Sequence, residues 1–140
     1  MSRALGLDLG SVRIGVATSD PGRVIASAYQ VVTRGKDRAA DHATIATLVA
    51  DTEATVVVVG LPRALSGRDS DATRLVRAEV QELCVALPVP VVLWDERLST
   101  VTAQRALIEG GVRRRQRKGS VDKVAAAVIL QSWLDAGAPE

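Results

Sequence analysis

Residues 54 to 60 read ATVVVVG. The run is short for a helix, and its valines are β-branched side chains that lose freedom in a helix but pack well on a pleated surface, so the segment is a buried strand. A strand apolar on both faces has to be covered on both faces. The hydrophobic pattern on either side says how that cover is supplied.

Upstream, residues 4 to 9 and 12 to 18 are extended apolar runs separated by Gly10-Ser11, a pair suited to a two-residue hairpin turn. After the Pro21-Gly22 turn, VIASAYQVVT is a third strand. From residue 37 the period changes. Residues 37 to 51 place Ile45, Leu48 and Val49 on one helical face. SGRDSDATRLVRAEVQELCVAL opens with Ser and Asp capping signals and repeats apolar residues at Leu75, Val76, Val80, Leu83 and Leu87. VPVVLW, residues 89 to 94, is a short strand; residues 100 to 109 form a helix ending at Gly110-Gly111, and a last helix covers 121 to 134. The order βββαβαβαα predicts an α/β fold: a mixed five-stranded sheet, an antiparallel β1-β2-β3 meander then β-α-β crossovers, with helices on both faces. With 140 residues and neither repeat nor linker, residues 1–140 are expected to form one domain.

Composition narrows the chemistry. One cysteine, Cys84, excludes a disulfide framework and a cysteine-rich zinc site. No run approaches the ~18 apolar residues of a membrane span and the N-terminus shows no apolar signal region, so a cytoplasmic protein with no membrane partner is expected. Only Tyr29, Trp94 and Trp133 are aromatic, which leaves little for base-stacking platforms. Net charge is only +2, yet RRRQRK at 113 to 118 holds five of the 18 positive charges, so the other 13 face 16 acids. This basic segment, expected as a loop before the last helix, is either a solvated stretch or an anion contact.

Acids at three places stand out. Strand alternation sends Leu5, Leu7 and Leu9 to one face and Gly6, Asp8 and Gly10 to the other. The two glycines leave room beside Asp8 for an ion or ligand; a hydrogen-bonded structural Asp is the alternative. Asp95 and Glu96 emerge at the C-terminal end of VVLW, where α/β sheets bind ligands, and alternation aims only one of them at a shared site. An ion pair with Arg97 is the plainer reading of that strand end. Asp122 opens a buried helix, where the helix dipole alone would favour it. Gathered from three core elements, these acids would repel one another unless a cation lay between them. Oxygen ligands without His or Cys point to Mg2+ or Mn2+. His42 reads as a helix-surface residue and Cys84 as a partly buried small apolar one. Arg13 shares a strand face with Gly15 and Ala17, and reads either as a contact to a phosphate near Asp8 or as a solvated strand residue.

In this order and spacing, GLDLGSVRIGVATSD, VVVGLPRALSG, DERLST and KGSVDKVAAAVIL resemble the YqgF/RuvX family of RNase H-like nucleases, over nearly the whole chain. The resemblance implies an RNase H-like fold and an acidic site of Asp8, Glu96 and Asp122 holding Mg2+ or Mn2+. It also implies a bacterial cytoplasmic role in maturing the 5′ end of precursor 16S rRNA or, in other members, in resolving Holliday junctions. One stretch departs: where family members often read Asn-Met-Asp-Gly, this chain has Ala64-Leu65-Ser66-Gly67. The expected function is a divalent-metal-dependent nuclease, monomer or homodimer, acting on structured RNA or branched DNA. Arg13, Arg97, Arg113, Arg114, Arg115, Arg117 and Lys118 would contact the nucleic acid. A non-catalytic RNA-binding or transcription-associated module is the alternative from a different class. A sugar-kinase-like phosphotransferase is disfavoured, because the chain has no room for a second lobe and no Walker A sequence.

Overall fold

In the computed structural model, which describes residues 2–63, 69–98 and 114–139 (114–123 by backbone alone), the valine run lies inside a five-stranded sheet. Its strands are β1 (Arg3–Leu9), β2 (Arg13–Ser19), β3 (Ala26–Thr33), β4 (Ala54–Leu61) and β5 (Val91–Asp95), in the order β3-β2-β1-β4-β5. The first three are antiparallel neighbours, while β4 runs parallel to both β1 and β5. The mixed sheet is the one expected from the meander and crossovers. Helices α1 (Arg38–Thr52) and α2 (Asp71–Ala86) make the crossovers, and α3 (Arg114–Asp135) follows β5 and a 3-10 turn at Glu96–Leu98.

The valines show why helices are needed on both sides. Val57 and Val59 join Leu5 and Leu7 beneath Ile45, Leu48 and Val49 of α1 and Val76, Val80 and Leu83 of α2. Val56 and Val58 join Ala4 and Ala17 on the opposite face, beneath Ala125, Ala126, Ile129, Leu130 and Trp133 of α3. Each side chain of this size contributes about 1.5–3 kcal/mol when fully buried, so neither layer is dispensable. Small residues let α3 come close: a Cβ on Gly6 would lie 2.8 Å from the Leu130 Cβ, and one on Gly60 would collide with Ile129.

Local chemistry sets the helix ends. Asp37 accepts from the Ala40 amide at 2.8 Å to cap α1, and Ser70 and Thr73 form a reciprocal capping box on α2. Leu75, expected on the buried stripe, is 66% exposed, because the stripe follows Val76, Val80, Leu83 and Leu87 at spacings of four and three. Cys84, one position past Leu83, is likewise exposed rather than partly buried.

Two connections differ from expectation. Leu9 pairs with Ile14, so residues 10 to 12, rather than a two-residue turn, join β1 to β2. The Arg34 amide, just past β3, donates to the Val12 carbonyl at 2.9 Å and holds the wider turn in place. The basic stretch is not a loop before the last helix, since α3 already begins at Arg114. Arg, Gln and Lys are good helix formers, and their preference outweighs the roughly 1 kcal/mol cost of Gly119 inside the helix. The expected helix at 100 to 109 lies outside the described residues. Among the described residues no helix is long and apolar enough to cross a membrane.

Candidate active site

Because β1, β4 and β5 are parallel, their C-terminal ends share one edge of the sheet. Asp8 lies there, two residues beyond Gly6 and on the same face as α3. The register that sets Leu7 beside Val59 carries Asp8 beside Gly60, and Gly60 in turn pairs with Trp94. Glu96, two residues past Trp94, folds back over this row: a Cβ on Gly60 would stand 3.1 Å from Glu96 Oε1. Asp8 and Glu96 are each only 6% exposed. Gly60 is a site residue that sequence reasoning missed. Its only local signal is a glycine at the end of an apolar strand, the usual mark of something approaching closely.

The turn carrying Glu96 is tied to α3 on both sides. Trp94 Nε1 donates to Ser132 Oγ at 2.9 Å, and Ser132 Oγ donates to the Leu98 carbonyl at 2.8 Å. Asp95 takes the other direction, as alternation requires. Its carboxylate accepts from Arg97 Nη2 at 2.7 Å, from the Arg97 amide at 2.9 Å and from Arg63 Nη1 at 3.4 Å. The Arg97 hydrogen bonds, outweighing a smaller opposing effect of burial, hold the Asp95 carboxyl below the ordinary aspartate range. The guanidinium of Arg97 is therefore engaged within its own turn. Arg13 opens β2 on the face of Gly15, and Gly15 pairs directly with Asp8.

The direction of α3 follows from its far end. The Arg23 guanidinium stacks 5.8 Å from the Trp133 ring and its Nε donates to the Ser2 carbonyl, at the N-terminal edge of β1. The helix thus runs against β1, and its earlier turns lead towards the Asp8 edge. Asp122 lies one turn before Ala126, whose carbonyl would be 3.1 Å from a Cβ at Gly6. The side chains of Asp122, Arg114, Arg115, Arg117 and Lys118 lie outside the described residues, as do Arg113 and residues 64–67 entirely. Among the described residues no three His, Cys, Asp or Glu side chains gather at metal-binding distance. The described part of the site is Asp8 and Glu96 on either side of a glycine. It presents only hard oxygen donors and no Cβ between them, which suits Mg2+ or Mn2+ rather than a softer metal.

On the opposite face the structure corrects the reading of His42. It is 3% exposed, and its Nε2 lies 2.8 Å from Glu79 Oε2. Packing of α1 on α2 creates that partner, and a residue 37 positions away leaves no trace in the local pattern.

Residues 2–136 match the family model described as RuvX: Holliday junction resolvase. A protein of Mycobacterium ulcerans (strain Agy99), named as a candidate pre-16S rRNA nuclease, is 47% identical over 135 residues, covering 95% of this chain and 78% of its own. A relative of the same name from Rhodococcus opacus (strain B4) is 46% identical over 137 residues, covering 95% and 77%. Among solved structures, T. thermophilus RuvC in complex with a Holliday junction substrate matches with a TM-score of 0.62 at 14% identity, over 100% of this chain and 99% of that one. That likeness shows the fold, which is RNase H-like.

Proposed function

The chain belongs to the RuvX family, and from that premise we propose that it is a divalent-metal-dependent nuclease of the cytoplasm, hydrolysing phosphodiester bonds at the 5′ end of precursor 16S rRNA. The observation that carries this reading is the placement of two buried carboxylates beside Gly60 at the ligand-binding edge of the sheet, Asp8 by the β1–β4 register and Glu96 by its Oε1. Two buried carboxylates brought to one face and one edge of the sheet supply the oxygen donors that a hard cation takes.

In the proposed assignment Asp8, Glu96 and Asp122 hold Mg2+ or Mn2+. Once bound, the metal supplies Lewis acidity to the phosphoryl group and neutralises charge that develops there. The chain's own groups do the rest. The carboxylates fix where the scissile phosphate sits, while the Trp94–Ser132–Leu98 bridge keeps Glu96 from turning away. Arg13, on the Asp8 side of β2, is assigned to a phosphate next to the site. The basic stretch Arg113, Arg114, Arg115, Arg117 and Lys118 is assigned to the nucleic-acid backbone further along, and Arg97, through its exposed side, to the same strand.

The test is a cleavage assay with Mg2+ or Mn2+ on a precursor 16S rRNA fragment and on a four-way DNA junction. Cleavage of the RNA at its 5′ end, with the junction slower, is expected. Preferential cleavage of the junction would favour the resolvase reading that the family's description carries. Binding without cleavage of either substrate would mean a non-catalytic module.

A further inference from the structure

Arg34 holds the connection between β1 and β2 from two directions. Its backbone N–H donates to the Val12 carbonyl at 2.9 Å and its Nε donates to the Gly10 carbonyl at 3.0 Å. The remaining nitrogens are themselves clamped. Nη1 and Nη2 donate to the two Glu79 carboxylate oxygens of α2 at 2.6 and 2.8 Å, and Nη1 lies 3.4 Å from Asp41 of α1. His42 reinforces Glu79, and the Gly35 amide donates to Asp41 at 2.7 Å. Asp41, His42 and Glu79 are all buried. A fork-to-fork Arg–carboxylate pair fixes orientation as well as position.

A stability role alone does not account for this network. Desolvation consumes most of what a buried ion pair gains, and apolar side chains of similar volume often do as well. What the network fixes is the place of a turn. A cleft of about 520 Å3, bordered by Leu9, Gly10, Ser11, Pro62, Arg34 and Glu79, opens beside it, so space rather than packed side chains adjoins the turn there. Val12 at its tip is exposed. The turn is also tightly folded: the Gly10 N–H donates to the Asp8 carbonyl at 3.1 Å, and a Cβ on Gly10 would meet the Arg13 carbonyl oxygen at 2.5 Å. Displacing it therefore displaces what it joins, and it joins Asp8, two residues before Gly10, to Arg13.

We propose that Arg34, held by Glu79, is a positioning residue of the nuclease site, acting through the Gly10–Val12 connection on Asp8 and Arg13 from the opposite face of the sheet. This rests on the nuclease reading above. A displacement of about 1 Å at reacting groups costs on the order of a hundredfold in rate.

The experiment compares wild type, Arg34→Lys and the double variant Arg34→Met/Glu79→Leu by cleavage kinetics, thermal unfolding and amide hydrogen exchange. The double variant removes both charges of the Arg34–Glu79 fork, and Asp41 keeps its hydrogen bond from the Gly35 amide, so it is the one designed to stay folded. Expected for both variants is a fall in kcat of about ten- to a hundredfold that exceeds any rise in KM from the displaced Arg13, and faster exchange at residues 10–13 with α3 unchanged. A double variant that unfolds like wild type yet keeps its kcat, or whose exchange at 10–13 does not change, would overturn the proposal. If wild type itself cleaves nothing, it is the nuclease reading that fails, and exchange still decides whether Arg34 holds the turn.

Discussion

Asp8 lies on β1 and Glu96 on the 3-10 turn after β5, both beside a residue with no side chain, so each carboxylate can be tested alone. Asp8→Asn removes one ligand charge and no core volume, and relief of repulsion offsets any lost hydrogen bond. Cleavage should fall by more than the roughly ten- to hundredfold typical of losing a group that only orients a ligand. The melting temperature should hold or rise; a variant that cut at the wild-type rate would exclude Asp8 as a ligand. Glu96→Gln should likewise cost at least about a hundredfold, whereas Asp95→Asn, whose native carboxylate is turned to Arg97 and Arg63, should cost far less. A reversed ranking in kcat would mean that Asp95, not Glu96, serves the site. Period-two alternation said beforehand only that one of the two neighbours faces inward; the family resemblance, not the period, named Glu96. Gly60 was not legible, since its importance comes from the β1–β4–β5 register and the return of Glu96. His42 misled for the same reason: its partner lies on another helix.

Among the elements, α3 carries both the cover of one sheet face and the basic stretch. Its apolar run from Val124 onward is plain in the sequence, and so is its role as a buried helix. Its start was not, because Lys118-Gly119-Ser120 reads as punctuation ahead of a cap, while the propensity of the preceding Arg, Gln and Lys is a weaker local signal. The difference changes the design of a test. Serine replacements, harmless in a loop, would weaken a helix, whereas glutamine removes charge and keeps propensity. Replacing Arg114, Arg115, Arg117 and Lys118 by Gln should leave helix content by circular dichroism unchanged. Nucleic-acid binding should weaken on all sequences alike. Each lost phosphate contact should flatten the slope of log binding constant against log salt by about 0.7 to 0.9. An unchanged slope would show that the strand enters from another side.

One sheet separates two polar systems that share its C-terminal edge: the Asp8 and Glu96 row under α3, and the Arg34, Asp41, His42 and Glu79 cluster under α1 and α2. The sheet and its two apolar layers were readable from periodicity, since the expected strand and helix order demands both. The second polar system was not, since its members lie on β3's exit, α1 and α2 and only tertiary packing unites them. It nevertheless contributes to how the whole molecule responds to acid. Burial pushes the Glu79 carboxyl up, but hydrogen bonds from Arg34 and His42, with the charge of Arg34, outweigh burial and hold it below the ordinary glutamate range. A carboxyl whose folded pKa lies below its unfolded one binds fewer protons in the native state, so it stabilises above the unfolded value of about 4.3. That contribution is lost as pH falls through the lower, folded value. Asp20 and Asp95, also depressed, act in the same window, so wild type alone cannot assign the loss to Glu79. Glu79→Gln can, because glutamine resembles the protonated carboxyl. Urea unfolding should find wild type more stable than Glu79→Gln by the largest margin from about pH 5 upward, with the two curves converging at more acid pH as wild-type Glu79 takes up its proton. A gap that stayed constant down the acid limb would mean that Glu79 titrates alike in the folded and unfolded chain, and that the clamp on Arg34 does not depend on its charge.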